Sequence, residues 1–507
     1  MRSVCRLLAM VWHAAQVEMH GSHSPQRVIE LTRYANHTSW IRVVTILLIT
    51  PLPCLVVTVL VDFLPLDNPS DGVSGNTMYF VRSFYTFLVI TFLLTHQFRI
   101  SVPALPYPLK RVIMNTVAIA GLSVGISYGL SRRIGFPLPF SSIILAPAWA
   151  TLVLASLAIE WRSKFKLTPG SGAMFVNATK LWMCEVALLF TYPVYYYVYM
   201  MLSTKGKTAF ALLLPVIKLV MKNIVARSVV HLKDQMPEVV VFNVEVFNAL
   251  FLSYCMLNSP SGWVTLEIMV FDGCMMAFAL RDVGNARRCL KELERRIEHE
   301  RSWDSFRKRG SLSTKSSSAR LTTLDRAGLI LSNDVKPGTL STRSSDELHA
   351  LVSPTLCPAP CKVKSDSSPT RYTDKVQQLL YAAEFLLLLN YVEVIIPLVY
   401  SIYLYGMYHL PNRDYYVQLH GINHDQLLHT LNGVLFYCSL QLASLFVLFL
   451  LLHCLLGLSP IHQLAYVLEK QCSGVQLKLV FWVYYNVQAS LQHSGYDYSF
   501  KFAWLQQ

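Results

Sequence analysis

Charge is scarce in this sequence. Asp, Glu, Lys and Arg make up 15% of its 507 residues, while 53% are hydrophobic. With a mean hydropathy of +0.40, so little charge excludes a soluble protein of this length and leaves the bilayer as the solvent. Zinc-finger spacing, an RNP motif and basic helices with interleaved aromatics are also missing. The net charge of +14 therefore does not read as nucleic-acid binding, and no nucleic-acid partner is expected. Nor does the chain contain a G-x-S-x-G, an H-E-x-x-H, a Walker sequence or a glycine-rich dinucleotide fingerprint, so no cofactor is expected and an enzyme ranks last among the readings. Its eleven cysteines are odd in number, and Cys54, Cys184, Cys255, Cys274, Cys438 and Cys454 fall inside apolar runs as small buried hydrophobes. Cys357 and Cys361 form a lone C-x3-C without a second ligand pair, so no metal site is expected there.

What the sequence has in abundance is long apolar runs. They predict an all-α, polytopic transmembrane helix bundle of about 10–11 spans, interrupted by a disordered cytoplasmic insert. Residues 1–40 read as a cytoplasmic tail and 41–280 as a first transmembrane block of about eight helices. Residues 281–372 read as a charged helix followed by a Ser-rich disordered insert, and 373–507 as a second block of two or three helices with an aromatic tail. Two segments stay ambiguous. Thr208 to Val230 reads as a span or as a surface amphipathic helix, and Val475 to Leu491 as an eleventh span, a re-entrant segment or an interfacial helix. Lys and Arg collect in alternate loops, which places the N-terminus in the cytoplasm, and the insert there too if Thr208 to Val230 crosses, so that segment is counted as a span. The start of the ninth span, including Glu384, is expected to project into the cytoplasm. Asn36 and Asn177, the two Asn-x-Thr sequons, then fall on the cytoplasmic side, where no glycan is expected.

The unusual chemistry is charge inside these runs. Glu185, Glu245, Glu267, Asp272 and Glu393 lie in predicted spans, and Lys218 and Lys222 share one face of the ambiguous sixth segment. An ionisable group at membrane depth is costly unless it meets a partner or water. One reading is a polar pathway whose carboxylates bind a proton or cation, with Tyr192, Tyr195, Tyr400 and Tyr403 supplying hydroxyls. The other is a set of buried Glu to Lys pairs that fix helix packing. Glu185 and Glu393 each begin a Glu-Val pair followed by tyrosines 7, 10 and 12 residues on, which reads as corresponding helices of two halves. Arg307-Lys308-Arg309-Gly310-Ser311 resembles a site for a basophilic cytoplasmic kinase, with Ser311 as the acceptor. His409, His420, His424 and His429 crowd one loop with ordinary polar neighbours.

Three stretches carry a likeness. Val241 to Trp263, Leu410 to His420 and Ser473 to Leu505 resemble a family of uncharacterised multi-pass membrane proteins of oomycetes. The resemblance implies a eukaryotic membrane protein and carries over no reaction and no residue of known role. The leading functional expectation is an integral membrane protein acting as a secondary transporter or channel-like protein for a small ion or solute. The alternatives are a membrane receptor or sensor with a phosphorylatable loop, and a membrane-embedded lipid enzyme.

Overall fold

The computed structural model describes residues 21–203, 206, 210, 213–258, 262–307, 323–334, 368–416, 419–456 and 459–496. Among these residues the chain is helical, with a single isolated bridge between Tyr416 and Leu491. The helices are α1 (Pro25–His37), α2 (Trp40–Ile49), α3 (Leu52–Asp62), α4 (Thr77–Ser101), α5 (Leu109–Ile134), α6 (Ser141–Leu167), α7 (Ser171–Met201) and α8 (Leu213–Ser228). They continue with α9 (Met236–Asn258), α10 (Gly262–Arg307), α11 (Thr323–Asp334), α12 (Ser368–Tyr408), α13 (His424–Leu456), α14 (Pro460–Lys470) and α15 (Cys472–Ala489).

Among the described residues, eight segments are long and apolar enough to cross a membrane: α2 with α3, then α4, α5, α6, α7, α9, α12 and α13. The chain is an integral membrane protein. Nearly every residue of α9 between Met236 and Ser253 is buried, and so are most of α12, whereas a third or fewer are buried along the other spans. Two helices therefore form an axis with a ring around them. The ring turns its apolar side chains outward, as Ile41 at 81%, Ile159 at 80% and Leu450 at 64% exposure show. A bilayer is the solvent that suits such a surface.

α15, which covers most of the second ambiguous segment, is not one of these eight. Its Lys478 meets Glu238 at the start of α9, and its Gln488 meets Arg82 near the start of α4. One helix thus touches both ends of the bundle, and Val475, Leu479, Trp482 and Val483 on it are buried. α8 packs on α7 and α9 and spans 16 residues, about 24 Å at 1.5 Å per residue.

The proline break in the first span has identifiable partners. Pro51 lacks the amide that would bond to the Leu47 carbonyl, and Tyr391 of α12 donates its hydroxyl there instead at 2.8 Å. Gln476 of α15 donates to the Thr50 carbonyl at 2.8 Å. The kink between α2 and α3 is therefore fitted to the axis helices.

Three stretches expected on the cytoplasmic side contain packed structure. Residues 25–37 of the presumed tail are a helix, started by Ser24, whose hydroxyl accepts the Arg27 amide at 3.3 Å. Glu384 does not project outward: it is buried beneath Arg27 Nη2 at 2.7 Å and His23 Nε2 at 2.9 Å. Apolar contacts and a carboxylate on a neighbouring turn gave the N-terminal segment somewhere to dock. Within the insert, α11 buries Leu324, Ala327, Ile330 and Leu331 and packs on α1 and α12. Arg307 ends α10, which continues the predicted eighth span and the charged stretch as one 46-residue helix. Residues 308–322 and 335–367, Ser311 among them, lie outside the described residues, as do 497–507 of the aromatic tail.

Candidate functional site

Lys218 and Lys222 are four residues apart, so both stand on the same side of α8. That side faces the axis. Lys218 Nζ lies 2.8 Å from Glu245 Oε2 of α9 and 3.2 Å from Glu393 Oε1 of α12, and Lys222 Nζ lies 2.5 Å from Glu245 Oε1. Three helices contribute two cations and two carboxylates, and formal charge cancels. Glu245 at 0% and Lys222 at 5% exposure are shut away from solvent, Glu393 is buried too, and Lys218 is partly exposed. Lys222 Nζ also sits 5.8 Å from the centre of the Phe385 ring of α12, so its remaining face meets an aromatic cloud. Pro397 removes the amide that would bond the Glu393 carbonyl, which leaves α12 one intrahelical bond short at the turn carrying the carboxylate.

The other predicted residues are not gathered there. Glu185 accepts a hydrogen bond from Gln97 Nε2 of α4 at 2.7 Å, so it and Glu393 do not share an environment. Tyr400 is buried on α12. The side chains of Tyr192, Glu267 and Asp272 lie outside the described residues. Among the described residues, no three of His, Cys, Asp or Glu come together as a metal set.

Two further buried charge clusters sit at opposite ends. At one end, Asp62 at the close of α3 pairs with Arg82 of α4 and accepts from the Tyr416 hydroxyl, while Tyr403 donates to its Oδ2 at 3.0 Å. Arg82 Nε donates to Gln488 Oε1 at 3.1 Å, and Asn412 ties down the Asp62 and Leu64 carbonyls at 2.8 and 2.7 Å. Neither Arg82 nor Asp62 stands out in the sequence, because both lie where an apolar run stops, which is where interfacial charges ordinarily stand.

At the other end, Lys478 Nζ of α15 lies 2.6 Å from Glu238 Oε1 of α9. Gly474 permits the approach, because a Cβ there would lie 2.9 Å from the same oxygen. A cavity of about 140 Å³ lies beside this pair and is lined by Gln97, Glu238, Gln471, Ser473 and Lys478 among others. Gln97 joins it to Glu185. Closer to the surface, Ser24 donates its amide and hydroxyl to Asp234 at 2.7 and 2.5 Å, and His23 bridges Asp234 and Glu384. Burial would push the Asp234 carboxyl up, but hydrogen bonds from His23 and Ser24 prevail and hold it down at about 2. Burial would likewise pull the His23 imidazole down, and the Glu384 charge together with the Asp234 hydrogen bond raises it above its ordinary value.

In this arrangement each carboxylate is paired with a lysine, so neither has room for a proton or a cation unless the lysines move. No protein-family model, curated protein or solved structure matches the chain, so its chemistry is its own evidence.

Proposed function

We propose that the protein is a secondary transporter, or a channel-like relative of one, that moves a small cation or a proton-coupled solute. The carrying observation is the charge-neutral, largely buried set formed by Lys218, Lys222, Glu245 and Glu393 on three helices. Ion pairs buried in a bundle stabilise it no better than apolar packing would, so charge retained at membrane depth favours a role in moving charge. α8, which brings both lysines, is short and is followed by a turn whose Leu232 leaves helical geometry at φ −97° and ψ 44°. A short helix ending in a break, held to the axis by ion pairs, is the kind of element that alternates between two positions. The polar cavity beside Glu238 and Lys478 would serve as a vestibule on the side holding the N-terminus and the insert, which would be the cytoplasmic side by the distribution of basic loops if α8 crosses. Ser311, in the insert, would be the acceptor for a cytoplasmic kinase.

A second reading rests on the same distances. Each carboxylate of the set already has a lysine, which is what a purely architectural ion-pair cluster also looks like.

Flux and stability separate the two. In liposomes loaded with a pH-sensitive dye and given a potassium diffusion potential, the wild type is expected to pass protons at least tenfold faster than empty liposomes. Glu393→Gln is expected to return the rate to the empty level while the protein still folds. Wild-type liposomes tight to protons, sodium and potassium, with Glu393→Gln merely melting earlier, would establish the architectural reading.

A further inference from the structure

α10 has one side packed and the other bare. Val283, Leu290 and Ile297 recur at every seventh residue, are buried, and make the side that α10 turns to the bundle, where it packs on α12. Two residues before each, about 160° round the helix, stand Arg281, Arg288 and Arg295, all exposed. The same outer stripe runs back through Phe278, Cys274 and Val270, which are exposed too. One face of one helix therefore changes from apolar to basic within a single turn, between Phe278 and Arg281. An apolar stripe bare on a membrane helix meets lipid tails, so its basic continuation meets what lies just above them.

A second helix fixes the level of that change. Arg287 donates from Nη1 to the Cys454 carbonyl near the end of α13. Cys454 lies about 6 Å beyond Leu450, an exposed apolar residue of α13, so the Arg287 guanidinium stands just past the hydrocarbon on both helices. Arg281 and Arg288, about 10 Å apart along α10, bracket that level, and their long side chains can snorkel toward it from either side. Asn285 is exposed between them on the same stripe.

Charge selects the occupant. Among the described residues, Arg281, Arg288 and Lys291 have no ion-pair partner, since Glu292 is taken by Arg296 at 3.1 Å and Glu294 accepts from the Tyr372 hydroxyl at 3.0 Å. Half-buried Asp282 is turned from Arg281 toward the packed side. Unpaired cations just outside the hydrocarbon attract anionic headgroups, and arginine grips phosphate with paired N–H donors. A zwitterionic headgroup brings its own cation and leaves all three unneutralised.

We propose that α10 seats an anionic glycerophospholipid, whose phosphate is held by Arg281, Asn285 and Arg288 and whose acyl chains run along the stripe past Phe278, Cys274 and Val270. This seat does not depend on the transport reading. The test uses the full chain in phosphatidylcholine nanodiscs, whose two leaflets are alike, so that orientation does not matter. A trace of phosphatidylglycerol carries a photoactivatable diazirine midway along one acyl chain. Adducts are expected on peptides spanning Val270 to Phe278, reduced at least tenfold by unlabelled phosphatidylglycerol. Arg281→Gln and Arg288→Gln are each expected to lower the yield about fivefold with an unchanged melting temperature. Arg295→Gln, about 10 Å farther along the helix than Arg288, is expected to leave it unchanged. Equal losses for all three substitutions would reveal a diffuse basic field and overturn the seat. An equal yield from a phosphatidylcholine probe with the same diazirine overturns the anionic head, competition by inorganic phosphate overturns the lipid source, and adducts confined to other helices overturn the site.

Discussion

Lys222 Nζ and Glu245 Oε1 lie 2.5 Å apart on neighbouring helices, and neither side chain reaches solvent. Removing one partner strands a charge inside the bundle. Lys222→Met is expected to lower stability by about 3–5 kcal/mol, because Glu245 then shares Lys218 with Glu393 and one negative charge is left over. The double substitution Lys222→Met with Glu245→Gln leaves Lys218 and Glu393 as a neutral pair and is expected to recover most of the loss. Thermal unfolding of the purified protein in detergent measures both.

Tyr416 gives its hydroxyl hydrogen to Asp62, whose other oxygen takes one from Tyr403. Hydrogen bonds to a buried charge are worth about 1.5–3 kcal/mol. Tyr416→Phe and Tyr403→Phe are each expected to cost an amount in that range, and together less than the sum of the two if Arg82 closes on the carboxylate. Denaturant titration in mixed micelles reads the difference.

Docking of the N-terminal segment depends on pH in a direction set by two shifted groups. His23 is raised, so its contribution is complete below the ordinary imidazole value of about 6.5 and is lost as pH climbs through the raised value. Asp234 is held at about 2, so its contribution is complete above the ordinary carboxylate value of about 4 and is lost as pH falls toward 2. Residues 21–37 are therefore expected to be best protected from hydrogen exchange near pH 5.5. Protection at pH 8.5 is expected to be lower after correction for intrinsic rates, and His23→Gln should flatten the difference.

Gly495 closes the last described turn with φ +65°, and a Cβ on it would lie 2.1 Å from the Leu138 carbonyl oxygen. The Phe140 amide bonds to its carbonyl at 2.9 Å. Gly495→Ala is expected to destabilise the protein by more than about 1 kcal/mol. Faster proteolysis of the 135–140 loop is the accompanying sign.

Apolar run length was enough to find most of the spans, because a helix that must bury 20 residues in lipid advertises itself by composition alone. Lys218 and Lys222 could be placed on one face for the same local reason, and Glu245 and Glu393 stood out as acids in oil. Their pairing was not legible: Lys218 and Glu393 are 175 residues apart, and nothing in either neighbourhood encodes the other. The burial of Glu384 was not legible because an acid before an apolar run ordinarily meets water, and its partners Arg27 and His23 come from a stretch whose mixed polarity resembles a tail. Asp62 and Tyr416 escaped notice since each sits where a span gives way to a loop, and only the fold carries Tyr416 back over the carboxylate. α15 was uncertain because Lys478 interrupts an already short run, and its tolerance depends on Glu238 from the first block.

The two axis helices come from opposite sides of the insert: α9 precedes it and α12 follows it. A nascent chain that has been made only as far as Arg307 holds Glu238 and Glu245 ready, but it lacks Lys478 and the wall that α12 provides. Cutting the polypeptide within residues 335–367 would therefore yield two pieces that stay clasped, and each piece made alone would be a substrate for membrane quality control until the other arrived.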